Sequence, residues 1–326
     1  MHPALYKDVT VPRGFKYHYY YSPAVDGKPT LLFLHGFPAT SYDWRRQVAH
    51  FQPKGYGIIA PDILGSGETS APVDVNAFRM NEVAGDIIQI LNTVKVDKVI
   101  GFGHDWGSVL LTRLAILYSE RFISFVWMAL GFVPPYTEPF DLEAAMKFAK
   151  ALVGYEALAY WEFLISEKAP ELIEKNIESF NQLLYPKESP GYWLDWIVNR
   201  GKTEEWIISN KQPGRPLWLA DAEFEKINQD TVNSGIRSSL NWYKGQMANI
   251  DLEDNKKIFV ENYKLKSPSF LAAATRDPVS IPDMSIGNLE RFGNSVRTVK
   301  FDAGHWVHVE KFEEVNKAVE AWLETL

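Results

Sequence analysis

The sequence of 326 residues contains no cysteine. Disulfide bonds, thiolate metal sites and catalysis by a cysteine nucleophile are therefore excluded. It also contains no run of five or more basic residues, and its formal net charge is −7. Because nucleic-acid-binding proteins need a basic surface, this charge argues against a nucleic-acid partner.

Long apolar segments are missing as well. No stretch approaches the roughly 18 consecutive apolar residues of a membrane-spanning helix, and residues 1–8 lack the apolar segment of a secretory signal. These absences predict a soluble, cytoplasmic protein without a membrane span. Aromatic residues, in contrast, are numerous, with 11 Trp and 15 Tyr. They either fill the core or line an apolar cavity.

Strand-like runs alternate with helical periodicity at both ends of the chain. Apolar residues repeat at helical spacing from Val83 to Val94 and from Val315 to Leu323. Residues 7–22 alternate without a helical period and predict an antiparallel ribbon at the sheet edge. Alternating strands and helices predict an α/β fold, with a mostly parallel sheet covered on both faces by helices. Six runs are typical of buried parallel strands, at residues 30–35, 56–60, 99–102, 123–130, 270–274 and 296–301.

The middle of the chain follows another pattern. After a proline-rich segment, residues 141–247 are helical and aromatic-rich, without a convincing buried strand. The spacing from Leu172 to Leu184 predicts one amphipathic helix, with Pro170 in its first turn. We therefore predict a helical cap at residues 134–247, inserted into an α/β core formed by residues 1–133 and 248–326.

The most informative segment is Gly103-His104-Asp105-Trp106-Gly107, directly after an apolar run. Small residues two before and two after a reactive side chain allow a strand to turn sharply into a helix, the arrangement called a nucleophile elbow. Serine at its centre would indicate an ester hydrolase. A carboxylate instead attacks an electrophilic sp³ carbon that carries a leaving group. Asp105 therefore indicates alkyl transfer, although an isolated aspartate in such a turn is also a common helix N-cap.

Two further motifs follow predicted strands, in the chain order nucleophile, acid, histidine of the α/β-hydrolase triad. Asp277 is the candidate acid and His305 the candidate histidine. His305 would activate water against an ester on Asp105, and Asp277 would hold the histidine tautomer. The competing candidates are Asp302 for the acid and His308 for the histidine.

Hydrolysis of an ester on the aspartate produces an oxyanion, which needs N–H donors. The candidates are the backbone N–H groups of Trp106 and of Phe37, in His35-Gly36-Phe37-Pro38. We interpret His104 and His35 as structural hydrogen-bonding residues.

Cofactor motifs are incomplete. The glycines at positions 101 and 103 do not form a dinucleotide fingerprint, because Trp106 occupies the place of the third glycine, and residues 65–69 lack the lysine of a phosphate loop. His305 and His308 have no plausible third ligand. We predict neither a cofactor nor a metal.

With these motifs the chain resembles the soluble-type epoxide hydrolases of the α/β-hydrolase fold. The resemblance extends from the His35-Gly36-Phe37-Pro38 turn, through residues 61–67 and the elbow, to Gly304-His305-Trp306. It implies hydrolysis of an epoxide to a vicinal diol through an alkyl ester, with water as co-substrate. The aromatic cap indicates an apolar or aromatic epoxide.

The resemblance also implies two cap tyrosines that hold and protonate the epoxide oxygen. Tyr243, in Trp242-Tyr243-Lys244-Gly245-Gln246, matches the second of them, while Tyr160 is our choice for the first and Tyr155 the alternative. The predicted substrate-contacting residues are Trp106, Phe37, Tyr155 and Trp306.

Two other functions compete with this interpretation. A haloalkane dehalogenase shares the aspartate, acid and histidine and also Trp106, but it has no use for Tyr243 because halide departure needs no proton. A non-catalytic ligand-binding protein on the same fold typically lacks a triad member, whereas Asp105, Asp277 and His305 are all present.

Overall fold

A computed structural model of the chain describes residues 1–187 and 190–326. Its described residues form a sheet of eight strands in the order β1-β2-β4-β3-β5-β6-β7-β8. The first two strands form an antiparallel ribbon, β2 pairs antiparallel with β4, and all later pairs are parallel. The strands are β1 Tyr6–Thr10, β2 Lys16–Ser22, β3 Thr30–Leu34, β4 Gly57–Pro61, β5 Val99–His104, β6 Phe122–Met128, β7 Ser269–Ala274 and β8 Val296–Phe301.

Helices precede, separate and follow these strands. Short 3₁₀ turns occur at Pro3–Leu5, Ser41–Trp44, Gln52–Lys54, Val75–Phe78, Ser119–Arg121 and Val260–Tyr263. The α-helices are α1 Arg45–Phe51, α2 Met80–Thr93, α3 Trp106–Leu117, α4 Leu142–Val153, α5 Trp161–Leu164, α6 Ala169–Lys175, α7 Ile177–Leu184, α8 Tyr192–Trp196, α9 Lys202–Ile208, α10 Asp221–Ser234, α11 Ile236–Ser239, α12 Asn241–Met247, α13 Leu252–Asn255, α14 Pro282–Phe292, α15 Val307–Glu310 and α16 Phe312–Leu323.

The sheet is covered on both faces, and strand β3 shows how. All five of its residues are buried, and successive side chains point to opposite faces. Leu32 and Leu34 belong to one apolar cluster, together with α2 and α3. Leu31 and Phe33 belong to a second cluster, together with α1 and α16. The predicted α/β-hydrolase architecture and its antiparallel edge ribbon are therefore confirmed.

The middle of the chain is helical. Between Met128 and Ser269, residues 129–187 and 190–268 contain helices α4 to α13 and no strand. Hydrogen bonds fix this cap to the core. Trp242 Nε1 donates to the Leu64 carbonyl at 3.1 Å. The inserted helical cap is thus confirmed, while its boundaries at residues 134 and 247 stay a prediction.

The prediction of one helix from Leu172 to Leu184 is wrong. The chain forms α6 and α7, which are separated at Asn176 with φ −130° and ψ 41°. The Asn176 side-chain amide donates to the Leu172 carbonyl at 2.9 Å. Asparagine side chains compete in this way with the helical backbone, and here the competition coincides with the break.

No helix within residues 1–187 and 190–326 is both long and apolar enough to cross a lipid bilayer.

Candidate active site

The turn from β5 into α3 places Asp105 above the carboxyl edge of the sheet. Asp105 is the residue before α3, with φ 53° and ψ −124°. A non-glycine residue at positive φ is strained, at a cost of about 1–3 kcal/mol. Gly107 makes the turn possible, because a Cβ there would lie 2.0 Å from the Leu34 carbonyl oxygen. The fold therefore holds the Asp105 side chain in an unfavourable backbone conformation at the position of a nucleophile.

The loop after β3 brings an N–H group to the Asp105 carboxylate. The Phe37 backbone N–H donates to Asp105 Oδ1 at 2.8 Å. This close approach requires glycine at position 36, because a Cβ there would lie 2.3 Å from Oδ1. Burial raises the pKa of Asp105 above that of an ordinary aspartate, while His305 and the N–H groups of Phe37 and Trp106 lower it in part. Both predicted oxyanion donors thus interact with the candidate nucleophile.

His305 and Asp277 form a buried pair beside this carboxylate. His305 Nδ1 lies 2.7 Å from Asp277 Oδ2, and His305 Nε2 lies 3.8 Å from Asp105 Oδ2. Asp277 Oδ1 accepts hydrogen bonds from the backbone N–H groups of Val279 at 2.9 Å and Ser280 at 3.1 Å. With Nδ1 held by the acid, Nε2 faces the candidate nucleophile. A water molecule between them would have both a base and an ester carbon within reach.

The charges of the pair are mutually stabilising. Burial would lower the pKa of His305, but the Asp277 carboxylate and its hydrogen bond outweigh burial and raise it. Burial would likewise raise the pKa of Asp277, but His305 and the two backbone donors lower it. Asp277 therefore stays ionised and favours the protonated form of His305.

Two cap tyrosines face the same carboxylate. Tyr160 precedes α5 and Tyr243 lies in α12, with their ring centroids 6.1 Å apart. Together with Asp105 they line a small cavity. Phe37 packs edge-on against Tyr243 with its ring centroid 5.1 Å away, and Trp106 does so at 5.3 Å. Burial and the nearby Asp105 charge raise the pKa of both tyrosines, so both remain neutral hydrogen-bond donors.

A larger cavity of about 350 Å³ opens from Asp105 and Tyr160 between the cap and the core. Its volume falls within the range of about 300–1,000 Å³ that is usual for small-molecule sites. Its walls are mainly aromatic and aliphatic side chains, including Trp106, Phe140 and Trp161. An apolar organic molecule therefore fits beside the candidate nucleophile.

The alternative candidates from the sequence for the acid, the histidine and the first cap tyrosine have other surroundings. Asp302 is 82% exposed and pairs with Arg276, so it does not contact the histidine as an acid would. His308 is fully buried, and its Nε2 donates to Asp43 Oδ2 at 2.8 Å rather than contacting Asp277. Tyr155 packs against Ala149, Ala157 and Ile281 and also against the main apolar cluster, but it is not among the described residues that line either cavity at Asp105.

Two other sequence candidates have structural contacts. Trp306 is buried, lines the small cavity and donates from Nε1 to the Leu184 carbonyl at 2.7 Å. His35 Nδ1 lies 2.8 Å from the Gly36 carbonyl, and its Nε2 accepts from the Ile63 N–H at 2.9 Å. His35 therefore supports the loop that carries the Phe37 donor.

Asp43, His104 and His308 form a buried group whose ligating atoms all lie within 4.8 Å of one another. The 2.8 Å between His308 Nε2 and Asp43 Oδ2 is a hydrogen-bond distance. Two ligands at zinc-bond lengths are further apart, at about 3.3 Å in a tetrahedral site. The group is therefore arranged as a hydrogen-bonded pair with a neighbouring imidazole, not as a metal ligand set.

His104 forms a hydrogen bond with the backbone of His305, the candidate base. Its Nε2 lies 3.0 Å from the His305 carbonyl and therefore donates to it, and the two rings are 4.5 Å apart. Burial lowers the pKa of His104 well below its ordinary value, so the ring remains neutral. We expect His104→Leu to reduce the free energy of unfolding by about 1–3 kcal/mol, because it leaves a buried carbonyl without a donor.

Urea denaturation of both variants measures this effect. His104→Gln is the matched control, because its amide keeps a donor at a similar reach and should lose less stability. Equal losses in the two variants would contradict a role for this hydrogen bond.

Sequence reasoning missed residues that complete the surroundings of His305. The ring of Trp193 in α8 lies 5.2 Å from that of His305, and Ser280 Oγ lies 3.4 Å from His305 Nδ1. Ser280 lies three residues after Asp277, so its proximity was readable from the motif. Trp193 has no such signal, because only the folding of the cap brings it to the core.

Comparison with known proteins gives consistent matches. The family described as alpha/beta hydrolase fold matches residues 29–312. The bifunctional epoxide hydrolase 2 of Mus musculus is 26% identical over 323 residues, which cover 97% of this chain and 55% of that protein. Epoxide hydrolase 2 of Siraitia grosvenorii is 33% identical over 229 residues, which cover 68% of this chain and 67% of that protein.

Among solved structures, epoxide hydrolase A from Mycobacterium thermoresistibile superposes with a TM-score of 0.79 at 23% identity, covering 98% of both chains. The resemblance predicted from the motifs is thus confirmed. The chain spans about half the length of the bifunctional relatives that it matches, with 55% of the mouse protein covered.

Proposed function

The chain belongs to the α/β-hydrolase fold family, and on that premise we propose that it is an epoxide hydrolase, which converts an epoxide and water to a vicinal diol. The observation that carries the proposal is the convergence of Tyr160 and Tyr243 from the cap on the Asp105 carboxylate from the core. A carboxylate nucleophile opposite two neutral phenol donors suits a strained ring whose oxygen must be protonated as it leaves carbon. The relatives named as epoxide hydrolases support the same reaction.

In the first step, Asp105 attacks one ring carbon, the carbon–oxygen bond breaks, and an ester forms. The ring oxygen takes a proton from a tyrosine, so the product on the enzyme is a hydroxyalkyl ester. Hydrogen bonds from Tyr160 and Tyr243 strengthen as charge develops on that oxygen, which lowers the barrier rather than merely improving binding. The apolar walls around them exclude water and increase this effect.

In the second step, His305 removes a proton from water, which attacks the ester carbonyl of Asp105. The oxyanion that forms is stabilised by the N–H groups of Phe37 and Trp106, and each such donor is typically worth about 3–4 kcal/mol in the barrier. Asp277 stabilises the imidazolium. Collapse of the intermediate expels the diol oxygen, which takes the proton held by His305. The acid proton of Asp105 then returns to the tyrosinate left by the first step, which restores the carboxylate and both phenols.

A single turnover in ¹⁸O-labelled water tests this route. Because water attacks the carbonyl carbon, the label enters the Asp105 carboxylate and the first diol released is unlabelled. Peptide mass spectrometry locates the label in the enzyme. Label in the first diol and none in the enzyme would show direct attack of water on the epoxide and would contradict the ester.

The Asp277–His305 pair predicts a pH dependence. Ester hydrolysis requires neutral His305, and the Asp277 charge raises the pKa of His305 above its ordinary value of about 6.5. The hydrolysis rate should therefore rise with pH through an inflection above that value. In Asp277→Asn the imidazolium loses its partner, so the inflection should move to lower pH while the plateau rate falls.

Single-turnover rates between pH 5 and 9, an interval of about two units on either side of neutral, measure both inflections. Asp302→Asn is the control, because Asp302 is exposed and pairs with Arg276. An unchanged inflection in Asp277→Asn would refute the assignment of Asp277 as the acid.

A further inference from the structure

The cavity beside Asp105 also carries information on the part of the substrate that does not react. We propose that the substrate is a neutral epoxide whose extended apolar substituent lies between α4 and α14 and ends in an uncharged hydrogen-bonding group, such as an amide, bound by Asn288. This inference rests on the proposed epoxide hydrolase function and specifies the substrate class of the same site.

One face of α4 and one face of α14 form the walls of a channel. Ala145, Phe148 and Ala149 follow each other at helical spacing on α4, and Met284 and Asn288 do so on α14, all lining the cavity. The alanine side chains leave room between the helices. The two helices thus enclose a passage that is continuous with the candidate nucleophile.

The outer end of the channel reaches the surface. Phe148 is 59% exposed and Met284 is 40% exposed, although both are large apolar side chains. Exposed apolar side chains at the rim of a cavity suit the entry of an apolar molecule. From Ile281 to Asn288 the α14 wall extends over seven residue steps, or about 10 Å at 1.5 Å per step. A substituent of several carbon atoms can therefore extend along it.

Few polar side chains line these walls, and they differ in whether they already have a hydrogen-bond partner in the protein. Ser285 Oγ accepts from the Gly131 N–H at 3.1 Å, and Ser280 Oγ contacts His305. Gln246 and Asn288 line the cavity, and their side-chain amides form no hydrogen bond to residues 1–187 or 190–326. A ligand amide or hydroxyl could pair with such an amide, which offers both donors and an acceptor.

The two free amides lie at different places relative to the reacting ring. Gln246 is three residues after Tyr243, one helical turn along α12, and so faces the substrate close to the epoxide. Asn288 lies about two turns along α14 from Ile281, and so faces the far part of the substituent. The distal group of the substrate is therefore recognised by Asn288.

Charge restricts that distal group to a neutral one. Within residues 1–187 and 190–326, the side chains lining the cavity include one carboxylate, that of Asp105, and no lysine or arginine. A carboxylate bound beside Asn288 would lose part of its hydration without gaining a cation, which is costly next to apolar walls, and Asp105 would repel it. An amide or alcohol has no such cost.

A matched series of terminal epoxides tests the proposal. The series has equal chain lengths and ends in a methyl group, a primary amide or a carboxylate, with 1,2-epoxybutane as a short reference. For the unmodified protein we expect kcat/KM for the amide to exceed that for the methyl compound by about three- to tenfold, the range of one neutral hydrogen bond. The carboxylate should be at least tenfold poorer than the amide.

Variants at Asn288 assign the effect. Asn288→Leu should bring the amide-to-methyl ratio close to one, and Asn288→Lys should raise kcat/KM for the carboxylate relative to the amide. Asn294, which is exposed and lies beyond α14, provides the control Asn294→Leu with unchanged ratios. A ratio that Asn288→Leu leaves unaltered, or a carboxylate accepted as well as the amide, would overturn the inference.

Different results would contradict the epoxide hydrolase function and the recognition of the distal group by Asn288. Absence of turnover for every epoxide, including 1,2-epoxybutane, would contradict the proposed function. In that event, calorimetric binding of a saturated primary amide of the same length still decides the inference. Binding that is weakened three- to tenfold by Asn288→Leu would support the channel, and binding insensitive to this change would refute it.

Discussion

Replacement of His305 by glutamine is expected to yield a protein that reacts once with an epoxide and then stops. Glutamine preserves approximate size and polarity but does not act as a base at neutral pH. Asp105 needs no base to attack carbon, because it is already ionised, whereas the ester needs an activated water. General base catalysis contributes about 10²–10⁴-fold to such a step. Steady-state turnover should fall by at least this factor, while ester formation continues.

Rapid-quench measurement of epoxide consumed and diol released tests this expectation. About one equivalent of epoxide should disappear per enzyme without a matching release of diol. His50→Gln is the matched control, because His50 lies on α1 and contacts Glu320, and it should retain full turnover. Loss of epoxide consumption and of diol release by equal factors would show that His305 also acts in the first step.

Loss of both cap hydroxyl groups is expected to impair ester formation even more strongly. Each phenol donates to the oxygen that leaves carbon, and removal of one donor to a developing oxyanion costs about 10²–10³-fold in rate. Tyr160→Phe or Tyr243→Phe alone should show a loss of this order, because the second hydroxyl remains. The double variant should lose more than either single variant. Phenylalanine retains the ring contacts with Phe37 and Trp106.

Pre-steady-state rates separate the two steps for these variants. Ester formation should slow in each variant, while hydrolysis of the ester should change by less, since the tyrosines act on the leaving oxygen. Tyr155→Phe tests the alternative assignment from the sequence. A loss in Tyr155→Phe as large as that in Tyr160→Phe, or equal slowing of both steps in the double variant, would contradict the role given to the pair.

The fold and the core motifs were predictable because their signals are local. Asp105 follows a buried strand and is flanked by glycines, which only a tight strand–helix turn requires. His305 and Asp277 likewise follow strands of a parallel sheet, whose carboxyl ends meet at one edge. The sequence therefore placed these three residues together, and the structure has them within hydrogen-bonding or near-contact distance.

The cap was predictable only in outline. Its helices pack through aromatic residues at many positions, so a helical pattern does not say which tyrosine faces the core. The break at Asn176 depends on one side-chain hydrogen bond, and the contact of Trp193 with His305 depends on tertiary packing. The position of Asn288 in the cavity wall could not be predicted from the sequence either, because a polar residue on an amphipathic helix is ordinarily solvated.

Intact-protein mass spectrometry of the His305→Gln variant, after incubation with an epoxide and with a haloalkane of the same carbon skeleton, tests the central claim most directly. Ring opening by Asp105 transfers every atom of the epoxide, so the account predicts a mass gain equal to the whole epoxide, located in the peptide that contains Asp105. A gain equal to the haloalkane minus one hydrogen halide, with no adduct from the epoxide, would contradict this mechanism and indicate a dehalogenase.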